Sequence, residues 1–176
     1  PGNLEVLEIS RCGLSENSFL LCCHICHPFQ INDGPIAAPF FIRLLSELTE
    51  IPNYTFKILI VPELIGSAAW INENLKKAKK IQAGLFVEMI GTNLNQRLNK
   101  SFEGNTLVDK FFEQTLKKID PNIIIDDFNY ANDERNFNGP GLGIPVCGLT
   151  RSYMSRTMKV NYAFENYHTS FDNYEN

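Results

Sequence analysis

The sequence lacks the features that mark several large classes of protein. It has no block of basic residues and a formal net charge of −4, so we expect no nucleic-acid partner. It has no apolar run of membrane-spanning length, and its first residues lack the charged-then-apolar pattern of a signal peptide. We therefore expect a cytoplasmic protein without a membrane partner. Internal repeats and low-complexity segments are also missing.

The size and composition predict one domain. The chain has 176 residues, of which 44% are hydrophobic, and this is enough for one sizeable core. We expect residues 1–176 to form a single catalytic-type domain. The abrupt start at Pro1, directly before a strand, is typical of a fragment or of the core of a longer chain.

Cysteine usage argues against a disulfide scaffold. The count of five is odd, and Cys22, Cys23 and Cys26 crowd the end of one apolar strand. Neighbouring residues of a strand point to opposite faces, which separates Cys22 from Cys23, and a reduced cytoplasmic setting fits better. A thiolate metal site from Cys23, Cys26 and His27 lacks a second cysteine pair, and Cys26 beside His27 is too local for a nucleophile–base pair. We predict that the cysteines are bystanders packed at the strand end.

Buried strands alternate with helices along the chain. Continuous apolar runs predict strands covered on both faces at 18–25, 56–61, 84–91 and 144–149. Apolar periodicity and helix-breaking borders predict helices at 36–48, 66–80 and 106–119. Weaker patterns predict a half-exposed strand at 4–9, a short strand at 123–125 and a loop or short helix at 132–143. This alternation predicts an α/β fold with three layers (αβα), in which helices cover both faces of a mostly parallel sheet.

Histidines and carboxylates follow the ends of these strands. They are His24, His27 and Asp33 at the end of 18–25, Glu63 after 56–61, Glu88 in 84–91, and His168 beyond the last strand. Ligands of such sheets bind outside the carboxyl ends of the strands. Nitrogen and carboxylate donors suit a catalytic zinc ion with one open coordination position.

Each of these residues also has an ordinary structural explanation. Asp33 could cap the helix that follows it, and Glu63 could stabilise the N-terminus of the next helix. A histidine alone is more often a hydrogen-bonded core residue or a loop residue than a ligand. Glu88 in an apolar strand is harder to dismiss, because a buried carboxylate needs a partner. Taken together, the residues favour a metal site.

Five motifs follow one another in a characteristic order. They are Cys23-His24-Ile25-Cys26-His27-Pro28 with Asn32-Asp33, Pro62-Glu63 with Gly66-Ser67, Val87-Glu88-Met89-Ile90-Gly91, Asn132-Asp133-Glu134-Arg135 with Gly143-Ile144-Pro145, and Tyr167-His168-Thr169-Ser170-Phe171-Asp172. This order resembles the zinc aminopeptidases of the co-catalytic exopeptidase type, and more closely a bacterial aminopeptidase-like domain of uncharacterised function. The match spans almost the whole chain and implies a zinc-exopeptidase (phosphorylase/hydrolase-like) architecture with one or two zinc ions.

The resemblance implies roles for individual residues. His24, or alternatively His27, would be the first metal ligand. Asp33 would bridge two metal ions or bind one, and His168 would be the distal ligand. Tyr167 resembles the tyrosine that helps to polarise the scissile carbonyl.

The chain also departs from the family pattern. The family has two adjacent glutamates, one a base and one a ligand, whereas here Pro62 takes one position and Glu63 alone remains as base or ligand. Glu88 stands where the family has an aspartate ligand, and Cys26 stands where it has an aspartate beside the first ligand. Our preferred arrangement is one zinc ion held by His24, Asp33 and His168, with Glu63 as the base and Glu88 as a supporting or second-metal carboxylate.

We predict a zinc-dependent aminopeptidase that acts on a peptide or small amide substrate. The loop residues Asp133 and Glu134 are candidates to bind the free α-amine, and Arg135 could meet a substrate carboxylate. Two other functions remain open: a metal-dependent amidohydrolase or deacylase acting on a modified sugar or amino acid, and a catalytically inactive binding domain. The sequence also leaves open whether the protein forms a homo-oligomer.

Overall fold

The structure of this chain is a computed structural model that describes residues 2–27, 30–153 and 163–175. In chain order its elements are β1 (Leu7–Arg11), β2 (Ser15–His24), α1 (Ala37–Ser46), β3 (Tyr54–Val61), α2 (Ile65–Glu73), α3 (Leu75–Ala78), β4 (Ile81–Val87), β5 (Arg97–Asn99), α4 (Leu107–Ile119), β6 (Ile124–Asp126), α5 (Glu134–Asn138) and β7 (Val146–Thr150). Within the described ranges the strands form one seven-stranded sheet.

The sheet is mixed, and its parallel part gathers the predicted site. The strand order is β1-β3-β2-β4-β7-β5-β6. Strand β2 pairs in parallel with β3 and β4, and β4 pairs in parallel with β7. Strands β1 and β5 run antiparallel to β3 and β7. The carboxyl ends of β2, β3, β4 and β7 therefore meet at one edge of the sheet.

Alternate residues of β2 belong to two separate cores. Leu21 and Cys23 pack with α1 and α4 on one face of the sheet. Leu20 and Cys22 pack with α2, α3 and α5 on the other face. The period of two along a strand separates the two cysteines, as the sequence predicts. The predicted α/β fold with three layers is confirmed.

Several element boundaries differ from the prediction. Strand β4 ends at Val87, because Met89 has φ 51° and turns the chain out of the sheet. The predicted helix over 66–80 is divided at Asn74, where φ is −123°, into α2 and α3. Strand β5 was not predicted, because three residues are too few to show an alternating apolar pattern. They form a strand because they pair with β6 and β7. In the described part of the chain, no helix is both long and apolar enough to cross a membrane.

Candidate metal centre

Asp33 lies at the centre of the converging donors. Its side chain is almost completely buried, at 3% exposure. The Oδ1 atom is 3.8 Å from Nε2 of His24, whereas Oδ2 is 3.5 Å from Nε2 of His27 and 3.1 Å from Nε2 of His168. The two oxygens of one carboxylate thus face two different groups of donors.

The first group consists of His24, Asp33 and Glu88 and is buried. Nε2 of His24 lies 3.2 Å from Oε2 of Glu88. Asn132 donates a hydrogen bond of 2.7 Å to the other oxygen of Glu88. The ring of Phe86 stacks parallel to the His24 imidazole, with 5.8 Å between centroids. Packing and hydrogen bonding therefore fix the orientation of both donors.

The second group consists of His27, Asp33 and His168 and opens to solvent. The two imidazole rings meet edge to face, with centroids 4.9 Å apart. The His168 side chain is 55% exposed, and the Tyr167 ring stacks on it at 3.8 Å. Solvent therefore reaches this group through His168, while Asp33 stays buried behind it.

Two residues that were not assigned a role hold the Asp33 loop in place. The carboxylate of Asp172 accepts hydrogen bonds from the backbone N–H groups of Asn32, at 2.9 Å, and Asp33, at 3.1 Å. The amide of Gln30 donates to the backbone carbonyl of Asp33 and accepts from the His27 N–H at 2.6 Å. Asp172 stands inside the last sequence motif, which was the only signal available for it.

Cys26 contacts the centre, which corrects the prediction that the cysteines at the end of this strand are packed bystanders. Its Sγ lies 3.2 Å from Nδ1 of His24 and accepts a hydrogen bond of 3.1 Å from the Glu63 N–H. The Glu63 carboxylate lies 4.0 Å from the same sulfur. Cys26 is exposed because the chain has already left β2. It connects the ligand candidate His24 with the base candidate Glu63.

The electrostatics of the centre favour protonated His24 and Tyr167. Burial lowers the pKa of His24, but the hydrogen bonds to Cys26 and Glu88 and the Glu88 charge outweigh burial and raise this pKa to about 11. A metal ion that binds His24 has to displace this proton, so we expect tighter binding at higher pH. Burial also raises the pKa of Tyr167, with a further contribution from the charge of Asp33. The phenol therefore remains a hydrogen-bond donor at neutral pH.

The structure buries the side chains of Asp133 and Glu134 and leaves Arg135 exposed. The Asp133 carboxylate is completely buried and accepts a hydrogen bond of 3.0 Å from the Leu64 N–H. Glu134 is 3% exposed, so neither carboxylate is open to a substrate amine. Arg135 donates to the Tyr130 carbonyl at 3.3 Å and lines a separate cavity of about 430 Å³. The substrate-binding roles of the three residues stay predictions.

The burial of Glu134 predicts a pH-dependent stability. Burial, and then the charge of Glu88, raise the pKa of the Glu134 carboxyl from 4.5 to about 8. Between these values the folded protein binds more protons than the unfolded chain, so this group's stabilising contribution is lost as pH rises. The loss is at most about 1.4 kcal/mol per pH unit. At pH 8–9, roughly the range above the folded-state pKa, the buried Glu134 carboxylate is charged. Glutamine carries no charge, so we expect Glu134→Gln to raise the free energy of unfolding relative to the unchanged protein in that range.

Urea unfolding across this pH range, with a chelator present, would measure the effect. The matched control is Glu103→Gln, which changes an exposed carboxylate. Identical pH dependence in the Glu134→Gln variant and the unchanged protein would contradict the prediction.

A cavity of about 510 Å³ is lined by residues that neighbour the donors in sequence. Its wall includes Asn32, the segment 91–94 and residues 164–166 and 171–174. These segments flank Asp33, Glu88 and His168 in the sequence. The cavity is therefore built from the same loops that deliver the metal-ligand candidates.

The mixed sheet between two layers of helices is similar to the fold of solved zinc aminopeptidases. The zinc aminopeptidase BSAP of Bacillus subtilis aligns over 95% of this chain and 43% of its own length, with a TM-score of 0.74 and 16% identity. The chain belongs to the family described as Domain of unknown function (DUF4910), which matches residues 1–176.

Two matches from Clostridium acetobutylicum are more similar to this chain than BSAP is. A crystal structure of a protein described as a peptidase has a TM-score of 0.83 and 31% identity over 96% of this chain. A protein named for polysaccharide biosynthesis with an aminopeptidase-like domain is 33% identical over 98% of this chain. In each comparison the chain spans 38% of the length of the Clostridium protein.

Proposed function

We propose that this domain is a zinc-dependent hydrolase of the aminopeptidase type, which releases the N-terminal residue of a peptide. The observation that carries the proposal is the position of Asp33, whose two carboxylate oxygens face two separate groups of donors. The zinc aminopeptidase fold and the aminopeptidase-like domain named in the Clostridium relative support it.

The donors fit zinc. Each group offers imidazole nitrogen and carboxylate oxygen, with its donor atoms within 4.8 Å of one another. We assign one ion to His24, Asp33 and Glu88, and a second ion to His27, Asp33 and His168. The set preferred from sequence is divided in this assignment, because His24 and His168 face opposite oxygens of Asp33.

The assignment also gives Glu63 a single role. The resemblance implied two adjacent glutamates, of which Pro62 replaces one, and left Glu63 to serve as base or as ligand. His27 supplies a donor to the second group. Glu63 also converges with His24 and Cys26 in a third group of donors, and we assign it as the base because the other two groups are complete without it.

The residues of the chain supply the acid–base chemistry. Bound zinc would supply a Lewis acid and lower the pKa of a water molecule to about 7 in the best cases. Glu63 takes the proton of the attacking water and passes it to the leaving amine. Tyr167, which remains protonated, donates a hydrogen bond to the oxyanion that forms at the substrate carbonyl.

Metal analysis combined with a substrate panel tests the proposal. We expect roughly two zinc ions per chain after purification with zinc, since each donor group has three candidate ligands. We also expect hydrolysis of unblocked aminoacyl amides that stops on chelation and returns with zinc. N-acetylated versions of the same amides are the matched control, because an exopeptidase needs the free amine. A zinc-loaded protein that cleaves none of the unblocked amides would contradict the proposal.

A deacylase acting on an acylated amino sugar is the second candidate. The cavity of about 510 Å³ is lined by several residues that include Asn93 and Asn166, and an asparagine side chain can both donate to and accept from hydroxyl groups. The Clostridium relative is named for polysaccharide biosynthesis. Adding N-acetylated amino sugars to the panel distinguishes the candidates, because release of acetate without peptide hydrolysis would favour the deacylase.

A further inference from the structure

The connection between β3 and α2 contains a rare backbone turn directly after Glu63. Leu64 has φ 60° and ψ −49°. The Ile65 N–H donates to the Glu63 carbonyl at 2.6 Å, which closes a three-residue γ-turn centred on Leu64. The form with positive φ at its central residue is strained, and a side chain with Cβ makes it more so.

Two side chains from the start of α5 clamp this turn from both sides. The Leu64 N–H donates to Oδ1 of Asp133 at 3.0 Å, and Asn136 donates to the Leu64 carbonyl at 2.9 Å. Both clamping side chains also hydrogen-bond to the hydroxyl of Ser67 in α2. Strained backbone persists only where the surroundings hold it in place, and such positions cluster at functional sites.

The backbone around the turn is closely packed. The Gly66 N–H donates to the Pro62 carbonyl at 2.8 Å. A Cβ at Gly66 would approach Cδ of Pro62 to 2.6 Å and Cβ of Val61 to 2.9 Å. The segment from Val61 to Gly66 is therefore tightly packed on both sides of Leu64.

We propose that Asp133 and Asn136 are positioning residues that aim Glu63 at the metal centre through the γ-turn at Leu64. Directly before the turn, the Glu63 N–H donates to the sulfur of Cys26 at 3.1 Å, and the Glu63 carboxylate lies 4.0 Å from the same sulfur. This inference rests on the proposed function, in which Glu63 is the base. It gives the buried Asp133 a role that needs no contact with substrate.

A double-mutant cycle tests the inference in the full zinc-loaded chain. Asp133→Ala removes the acceptor for the Leu64 N–H, and we expect kcat to fall about 10-fold to 100-fold with KM and zinc content nearly unchanged, since small misplacements of a catalytic group have effects of this size. Asp133→Asn retains an acceptor and should restore most of kcat. In the Leu64→Gly background the loss caused by Asp133→Ala should shrink several-fold, because glycine adopts positive φ without strain.

Asp109→Ala is the matched control. Asp109 is also a buried aspartate that accepts backbone hydrogen bonds, but it caps α4 on the other face of the sheet. Its replacement should lower the melting temperature and leave kcat unchanged at temperatures where the variant is folded. If Asp133→Ala does not fold, Asn136→Ala takes its place, with a smaller fall in kcat that Leu64→Gly also reduces.

Three other results would overturn the positioning role of Asp133 and Asn136. An unchanged kcat in folded Asp133→Ala, or in its replacement Asn136→Ala, would overturn the positioning role and leave the proposed function intact. A loss of zinc in that variant would overturn it too, because the clamp would then act on the metal donors. A parent chain without hydrolase activity would remove the proposed function and this inference together.

Discussion

Replacing Asp33 by asparagine should release metal from both donor groups and lower kcat/KM by about a thousandfold or more, because Lewis-acid stabilisation of several kcal/mol is lost. The reason is geometric: Oδ1 faces His24 and Oδ2 faces His27 and His168. Asparagine has nearly the same size, and the backbone contacts of the loop to Asp172 do not need the Asp33 carboxylate. The fold should therefore survive the change.

Zinc content by elemental analysis, kcat/KM and the melting temperature measure this effect together. His27→Gln is the matched comparison, since His27 belongs to only one of the two groups. It should lose one ion and retain the other. If the Asp33→Asn variant binds as much zinc as the unchanged protein, Asp33 is not a ligand shared by the two donor groups.

Replacing Glu63 by glutamine should lower kcat by about 100-fold to 10,000-fold, the usual range for loss of a general acid–base group. Glutamine keeps the length of the side chain and the backbone hydrogen bond to Cys26, but it cannot take a proton from water. We therefore expect KM and zinc content to change little. The effect should be confined to the chemical step.

Steady-state kinetics and metal analysis on the same sample decide the role of Glu63. Glu73→Gln, which changes an exposed glutamate at the end of α2, is the control and should have no effect. A loss of one zinc ion in Glu63→Gln would identify Glu63 as a ligand rather than a base. Unchanged kcat would exclude both roles.

The fold could be predicted because its signals are local. Continuous apolar runs produced β2, β3 and β4, and the capping box at Thr106 together with a helical period defines α4. The donors could be predicted for a related reason, since parallel strands bring their carboxyl ends to one edge. His24, Asp33 and Glu63 therefore stood out before any contact was known.

Strand patterns could not predict which donors face which oxygen of Asp33. Sequence spacing offered His24 and His27 as alternatives for one position, whereas the structure gives each a different oxygen of Asp33. The part played by Cys26 was missed because its contacts are to His24 and to Glu63, which lies 37 positions further along the chain.

The layers of this protein, and the edge of the sheet at which its histidines and carboxylates meet, could be inferred from sequence alone. Both follow from side-chain periodicity and strand direction, which are properties of neighbouring residues. Three features are visible only in the folded structure: Asp33 faces two donor groups, Cys26 contacts both His24 and Glu63, and Asp133 is buried against Leu64. These facts depend on contacts between residues far apart in the chain, and such contacts are set by how the loops pack once the sheet has formed.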